Sequence, residues 1–128
     1  MVRKSERERD TLFKTVVLTM AALVLMVIAG CGPTGPDTPG QPNGLTVTST
    51  SPITLSWNTV SDASSYNVYR STVSGGITPP SSPLATNVLG TIYADTSTVS
   101  GTTYYYQVTA VNTLGESTGS NEVSAVAQ

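Results

Sequence analysis

From Tyr104 to Ala110 the side chains alternate: Tyr104, Tyr106, Val108 and Ala110 on one parity, and Tyr105, Gln107 and Thr109 on the other. A period of two marks a strand with one buried face, and the set containing Gln107 and Thr109 faces out. The same alternation recurs at Leu45 and Val47, at Ile53, Leu55 and Trp57, at Tyr66 and Val68, around Ile92-Tyr93, and at Val123 and Ala125. No stretch beyond Pro42 carries a 3.6-residue apolar period, and turn residues separate the runs. About seven short strands at this spacing predict an all-β domain, a β-sandwich.

The residue inventory narrows what such a domain can do. Of 128 residues, one is cysteine and none is histidine. An intrachain disulfide and any His-based or multi-Cys metal site are therefore excluded. A domain from Pro42 to Gln128 must be stable through its core alone. At this size it buries about 60–65% of its unfolded surface, which is sufficient. Charge is unevenly placed. The first fourteen residues hold five basic groups, Arg3, Lys4, Arg7, Arg9 and Lys14, against three acidic ones. From Cys31 onward Arg70 is the single basic residue against five acids, Asp37, Asp62, Asp95, Glu116 and Glu122. Binding nucleic acid takes several Lys or Arg to neutralise phosphates, so nucleic acid is excluded as a partner. Electrostatic docking of the domain on anionic lipid is disfavoured for the same reason.

Thr15 to Ala29, TVVLTMAALVLMVIA, is an uncharged apolar run behind the basic segment. As a helix it would span about 22 Å, short of the roughly 30 Å of a hydrocarbon core. It has the layout of an export signal. The alternatives, a retained anchor or a core helix, fit less well: only Thr19 interrupts the apolar surface, whereas a core helix shows a polar face. Ile28-Ala29-Gly30-Cys31 follows, with an aliphatic residue, two small residues and the chain's single cysteine. It resembles the lipobox of bacterial lipoproteins, with Ile28 where leucine is commoner. The resemblance implies cleavage before Cys31, a signal peptide over residues 1–30, and acylation of Cys31, including palmitate-type chains, that holds the protein to membrane lipid. Two or more chains anchor firmly where one does not. Gly32 rather than aspartate follows the cysteine, which in a Gram-negative host implies the outer membrane. The expected location is the bacterial cell envelope, with the domain outside the cytoplasm.

Residues 31–41 comprise Cys31 and GPTGPDTPGQ, with three prolines, three glycines and no aliphatic or aromatic side chain after the cysteine. Such a segment is expected to bury nothing and to act as an extended spacer reaching up to roughly 30 Å. An unstructured junction of unselected length is the alternative.

The domain proper, 42–128, resembles fibronectin type III, a family of immunoglobulin-like β-sandwiches. Leu55-Ser56-Trp57 is similar to the family's second-strand signature, Tyr66-Asn67-Val68-Tyr69-Arg70 to its third strand, and Gly101 through Asn112 to its sixth. Tyr93-Ala94-Asp95-Thr96 stands ahead of a turn in the usual place. The resemblance implies structural roles for Trp57, Tyr66, Tyr104 and Tyr106 in the core, and a corner in which the Tyr104 hydroxyl bonds back to preceding backbone. Thr98-Val99-Ser100 departs from the family's aliphatic-proline pair, and Val99 is expected to supply the apolar contact there. Pro79-Pro80 and Pro83 forbid a central strand between Ser71 and Gly90, so Leu84-Ala85 is expected at an edge.

Catalysis has no candidate machinery. Asp62, Asp95, Glu116 and Glu122 are expected to be scattered over loops and strand ends, and no serine has a base to activate it. No lysine remains in the mature chain for an isopeptide staple, and no cofactor is implied. What remains is surface. Tyr69 and Tyr105 share the outward parity of neighbouring strands, either as an exposed aromatic pair or as an ordinary cross-strand pair. Leu114 sits at the tip of the loop between the last two strands. The expected function is a non-catalytic binding or spacer module for an envelope or extracellular protein. The alternative is a carbohydrate-associated module, with Tyr69 and Tyr105 as the surface for a glycan.

Overall fold

The computed structural model describes residues 37–80 and 82–128. The apolar run, the lipobox residues and Cys31 lie outside them. The compact unit runs from Pro36 to Gln128.

Eight strands form: β1 Thr46–Thr50, β2 Ile53–Ser56, β3 Ser65–Ser71, β4 Ala85–Val88, β5 Ile92–Asp95, β6 Thr103–Asn112, β7 Gly115–Glu116 and β8 Val123–Val126. They make two antiparallel sheets, one in the order β1-β2-β5 and one in the order β4-β3-β6-β7, with β8 also paired to β6. β7 and β8 are one edge strand interrupted at 117–122, because both pair with β6, at its C-terminal and N-terminal ends respectively. Serine hydroxyls carry the ladder across the gap. Ser117 Oγ accepts from the Ala110 amide at 2.9 Å and Ser120 Oγ accepts from the Val108 amide at 3.0 Å. The central amides of β6 are thereby satisfied where no strand residue faces them.

The core lies between the sheets and matches the alternation. Ile53, Leu55, Val68, Tyr106, Val108 and Ala110 are fully enclosed, with Leu45, Trp57, Tyr66 and Tyr104 nearly so. Trp57 stands just past β2, and its ring meets Tyr66 edge-on with centroids 5.4 Å apart. The Tyr104 hydroxyl accepts from the Val99 amide at 3.1 Å, closing the corner. Val99 departs from expectation: its side chain is 64% exposed, so its backbone, not its valine methyls, serves the corner. The Pro-rich stretch leads into β4, an edge strand beginning at Ala85 that pairs only with β3.

The segment before Pro42 requires a correction. Pro39 and Pro42 are both buried, so residues from Asp37 are part of the folded unit and not a free spacer. The Asn112 side-chain amide donates to the Asp37 carbonyl at 2.9 Å. The Gln41 side-chain amide donates to the Gly119 carbonyl at 2.5 Å. Gly115, at φ 151°, leaves room for the chain: a Cβ there would stand 2.9 Å from Thr38 Cγ2. Composition implied that nothing could be buried because the segment has no aliphatic or aromatic side chain. Proline rings nonetheless have apolar surface, and polar partners far along the chain hold them down.

Candidate functional site

Arg70 continues the inward row of β3 after Tyr66 and Val68, at the end of the sandwich where β5 closes. A charge on an inner face needs a partner, and β5 supplies Asp95, whose inward parity follows Tyr93. Arg70 Nη1 donates to Asp95 Oδ2 at 2.7 Å, and the Tyr106 hydroxyl donates to the same oxygen at 2.8 Å. Asp95 Oδ1 accepts from the Ser97 amide at 3.0 Å and the Ser97 hydroxyl at 2.7 Å. The guanidinium also lies 4.8 Å from the centroid of the Tyr104 ring. Asp95 is only 1% exposed. Burial alone would raise its carboxyl, but the bonds from Ser97, Arg70 and Tyr106 outweigh burial and hold it below the usual carboxylate range. Burial and the Asp95 carboxylate together push the Tyr106 phenol well above its ordinary value. The cluster joins the two sheets.

A second, half-buried carboxylate is held through one of its oxygens on the outer face of the larger sheet. Tyr69 donates to Glu116 Oε1 at 2.5 Å, and the Thr109 hydroxyl donates to the same atom. Tyr69 is 1% exposed and Thr109 is fully buried. Burial, then the hydrogen bond to Glu116, pushes the Tyr69 phenol up to about 12. Burial opposes ionisation of Glu116, yet the bonds from Thr109 and Tyr69 keep its carboxyl below the ordinary range.

This corrects the expected aromatic surface. Tyr69 has the outward parity assigned to it but is covered. It stands opposite Gln107 whereas Tyr105 stands opposite Ser71, so the two tyrosines are diagonal neighbours. Tyr105 alone remains half-exposed, between Ser71 and Ser124 on the flanking strands. Leu114 is half-exposed at the β6–β7 turn. Its amide and that of Gly115 donate to Asn112 Oδ1 at 2.8 and 3.1 Å. Asn112 thus shapes the turn with one side-chain atom and holds Asp37 with the other. Among the described residues no group of three or more His, Cys, Asp or Glu is placed to hold a metal ion. The Asp95–Arg70 and Tyr69–Glu116 clusters are not expected from the sequence. The inward parity of Arg70 and Asp95 was the available signal for the first, and nothing local announced the second.

The architecture matches a solved Fn3-like protein from Clostridium thermocellum at 43% identity and a TM-score of 0.57, covering 65% of this chain and 86% of that one. The chain belongs to the fibronectin type III-like family. No protein-family model matches it. Similar sequences occur inside much longer enzymes. An amylopullulanase of Thermoanaerobacter thermohydrosulfuricus is 49% identical over 74 residues, 57% of this chain and 5% of the enzyme. A poly(3-hydroxybutyrate) depolymerase of Ralstonia pickettii is 45% identical over 87 residues, 66% of this chain and 16% of the enzyme. The chain therefore spans a small fraction of the curated relatives it matches.

Proposed function

We propose that this protein is a lipid-anchored component of the bacterial cell envelope whose fibronectin type III-like domain is a non-catalytic spacer or binding module contacting another envelope or extracellular protein. The observation that carries the anchor is the position of Cys31, the single cysteine, directly after Ile28-Ala29-Gly30 at the end of an uncharged apolar run. The non-catalytic reading draws on the site geometry. Two of the domain's carboxylates, Asp95 and Glu116, are committed to hydrogen bonds within the domain. Similarity confined to a small part of long enzymes also supports an auxiliary role. The test is metabolic labelling with palmitate in a bacterial host. The wild-type chain should take up label and fractionate with membranes, and Cys31→Ser should abolish the labelling and release or mislocalise the protein. Label retained by Cys31→Ser would refute the anchor. Crosslinking in intact envelopes with the full chain then reads the protein partner.

A second reading, a carbohydrate-associated module, is favoured by one observation, the similarity to an amylopullulanase. On this chain it rests on Tyr105 alone, since Tyr69 is closed off. Glycan-array binding that disappears in Tyr105→Ala would support it, and an array without signal would remove it.

A further inference from the structure

Both ends of the sandwich expose large apolar side chains, Leu89, Ile92 and Leu114 at one and Val73, Val99 and Val126 at the other. At the end where β6 finishes, Val111 pairs with Ser65 and Glu116, and the chain turns through Leu114. Val88 of β4 stands beside Tyr66, itself paired with Ala110, so Leu89 emerges at this same end. Ile92, Val73 and Val99 are each about two-thirds exposed and Val126 about half, and the exposed leucines among the described residues are Leu89, 83% exposed, and Leu114, 50% exposed. They stand on opposite edges of the sheet order β4-β3-β6-β7, about 15 Å apart at three strand spacings. At the other end, where β6 begins, lie Val99 and Val126, about 30 Å away along the ten residues of β6.

The chain enters the domain at the leucine end. Asp37 is bonded to Asn112, two residues before Leu114, and the buried Pro39 and the Gln41–Gly119 bond hold the following residues down. Only residues 32–36 separate Cys31 from Asp37. Fully extended, they reach about 20 Å, less than the length of the domain.

We propose that the Leu89–Leu114 end of the domain faces a lipid surface, held there by the short chain between Cys31 and the docked Asp37–Gln41 segment. The inference rests on lipidation of Cys31. Chain length enforces the approach, and the exposed Leu89 and Leu114 meet the interface beside the exposed carboxylates of Asp37 and Asp62. Asp37 on this end has no nearby lysine to offset it, so the surface suits zwitterionic headgroups better than anionic ones. The Val99–Val126 end is left to point away from the membrane, free for a partner.

The test uses the full lipidated chain, its palmitate content verified, in phosphatidylcholine vesicles carrying a nitroxide on the headgroup. Tryptophan is introduced singly as Leu89→Trp, Leu114→Trp, Val99→Trp or Val126→Trp. All four sites are exposed, so each variant should keep the wild-type thermal midpoint, and the buried Trp57 supplies a constant background. Quenching at Leu89→Trp and Leu114→Trp should exceed that at the other two by at least twofold. Equal quenching at all four, or stronger quenching at Val99→Trp, in chains that carry palmitate would overturn the orientation while leaving the anchor intact. Absence of palmitate from the wild-type chain would overturn both. Inserting ten Gly/Ser residues between Gly35 and Pro36 should erase the difference, and a difference that persists would overturn the role of chain length.

Discussion

Replacing Asp95 by alanine tests the link between the two sheets. Four hydrogen bonds end on this carboxylate, and their donors fare differently once it is gone. The Tyr106 hydroxyl sits on a residue with no exposure, and leaving it unpaired costs about 1–3 kcal/mol. Removing one member of a buried ion pair costs about 3–5 kcal/mol when the other stays buried. The Arg70 side chain is 24% exposed, however, and can recover water, so its share falls to about 1 kcal/mol, the level of an exposed pair. A total loss near 3 kcal/mol follows, out of roughly 5–13 kcal/mol for a domain of this size. It corresponds to a drop in Tm of about 12–24 °C. Urea unfolding followed by circular dichroism and Trp57 fluorescence gives the number. Asp95→Ala within about 0.5 kcal/mol of wild type, the level of a neutral surface change, would refute the bridge. The pH dependence supplies a second reading. The folded-state carboxyl lies below its unfolded value of about 3.9. Its contribution is therefore present above pH 4 and is lost as pH falls through the folded value. Glu116 acts in the same direction, so the quantity to compare is the difference between wild type and Asp95→Asn. That difference should shrink as the pH drops below 4.

Trp57→Ala should cost about 3–5 kcal/mol, and a melt with an undiminished midpoint would show that the ring is not central to the core. Tyr69→Phe removes the bond to Glu116 and should cost about 1 kcal/mol by urea midpoint. With its phenol raised from 10 to about 12, Tyr69 contributes stability that is complete below pH 10 and declines as pH rises toward 12. Tyr69→Phe should flatten alkaline unfolding in that window. Starting the chain at Pro42 rather than Pro36 removes buried Pro39 and the Asn112–Asp37 and Gln41–Gly119 bonds. The shorter domain should be less stable by about 1–3 kcal/mol. Equal urea midpoints would show that the docked segment contributes nothing.

The inner face was legible because alternation is a local property. Once Tyr104, Tyr106, Val108 and Ala110 share a parity with polar residues on the other, the buried face follows from the pleat. The corner at Tyr104 was also legible, since donor and acceptor lie five residues apart. The Val99 side chain was not, because packing at a corner depends on what the neighbouring sheet leaves open.

Parity also placed Tyr69 and Thr109 outward, and outward they are. Whether an outward residue meets water is a different question, answered by segments distant in the chain. Tyr69 is closed by Glu116, 47 positions later, and Gln41 reaches Gly119 across 78. The strand pattern, the core aromatics and the unusual position of Cys31 could be read residue by residue. The covered outer face, the Asp95 bridge and the docked proline segment came from tertiary structure alone. They depend on which remote donors and acceptors the sheet order brings within hydrogen-bonding distance, and a period of two carries no information about that order.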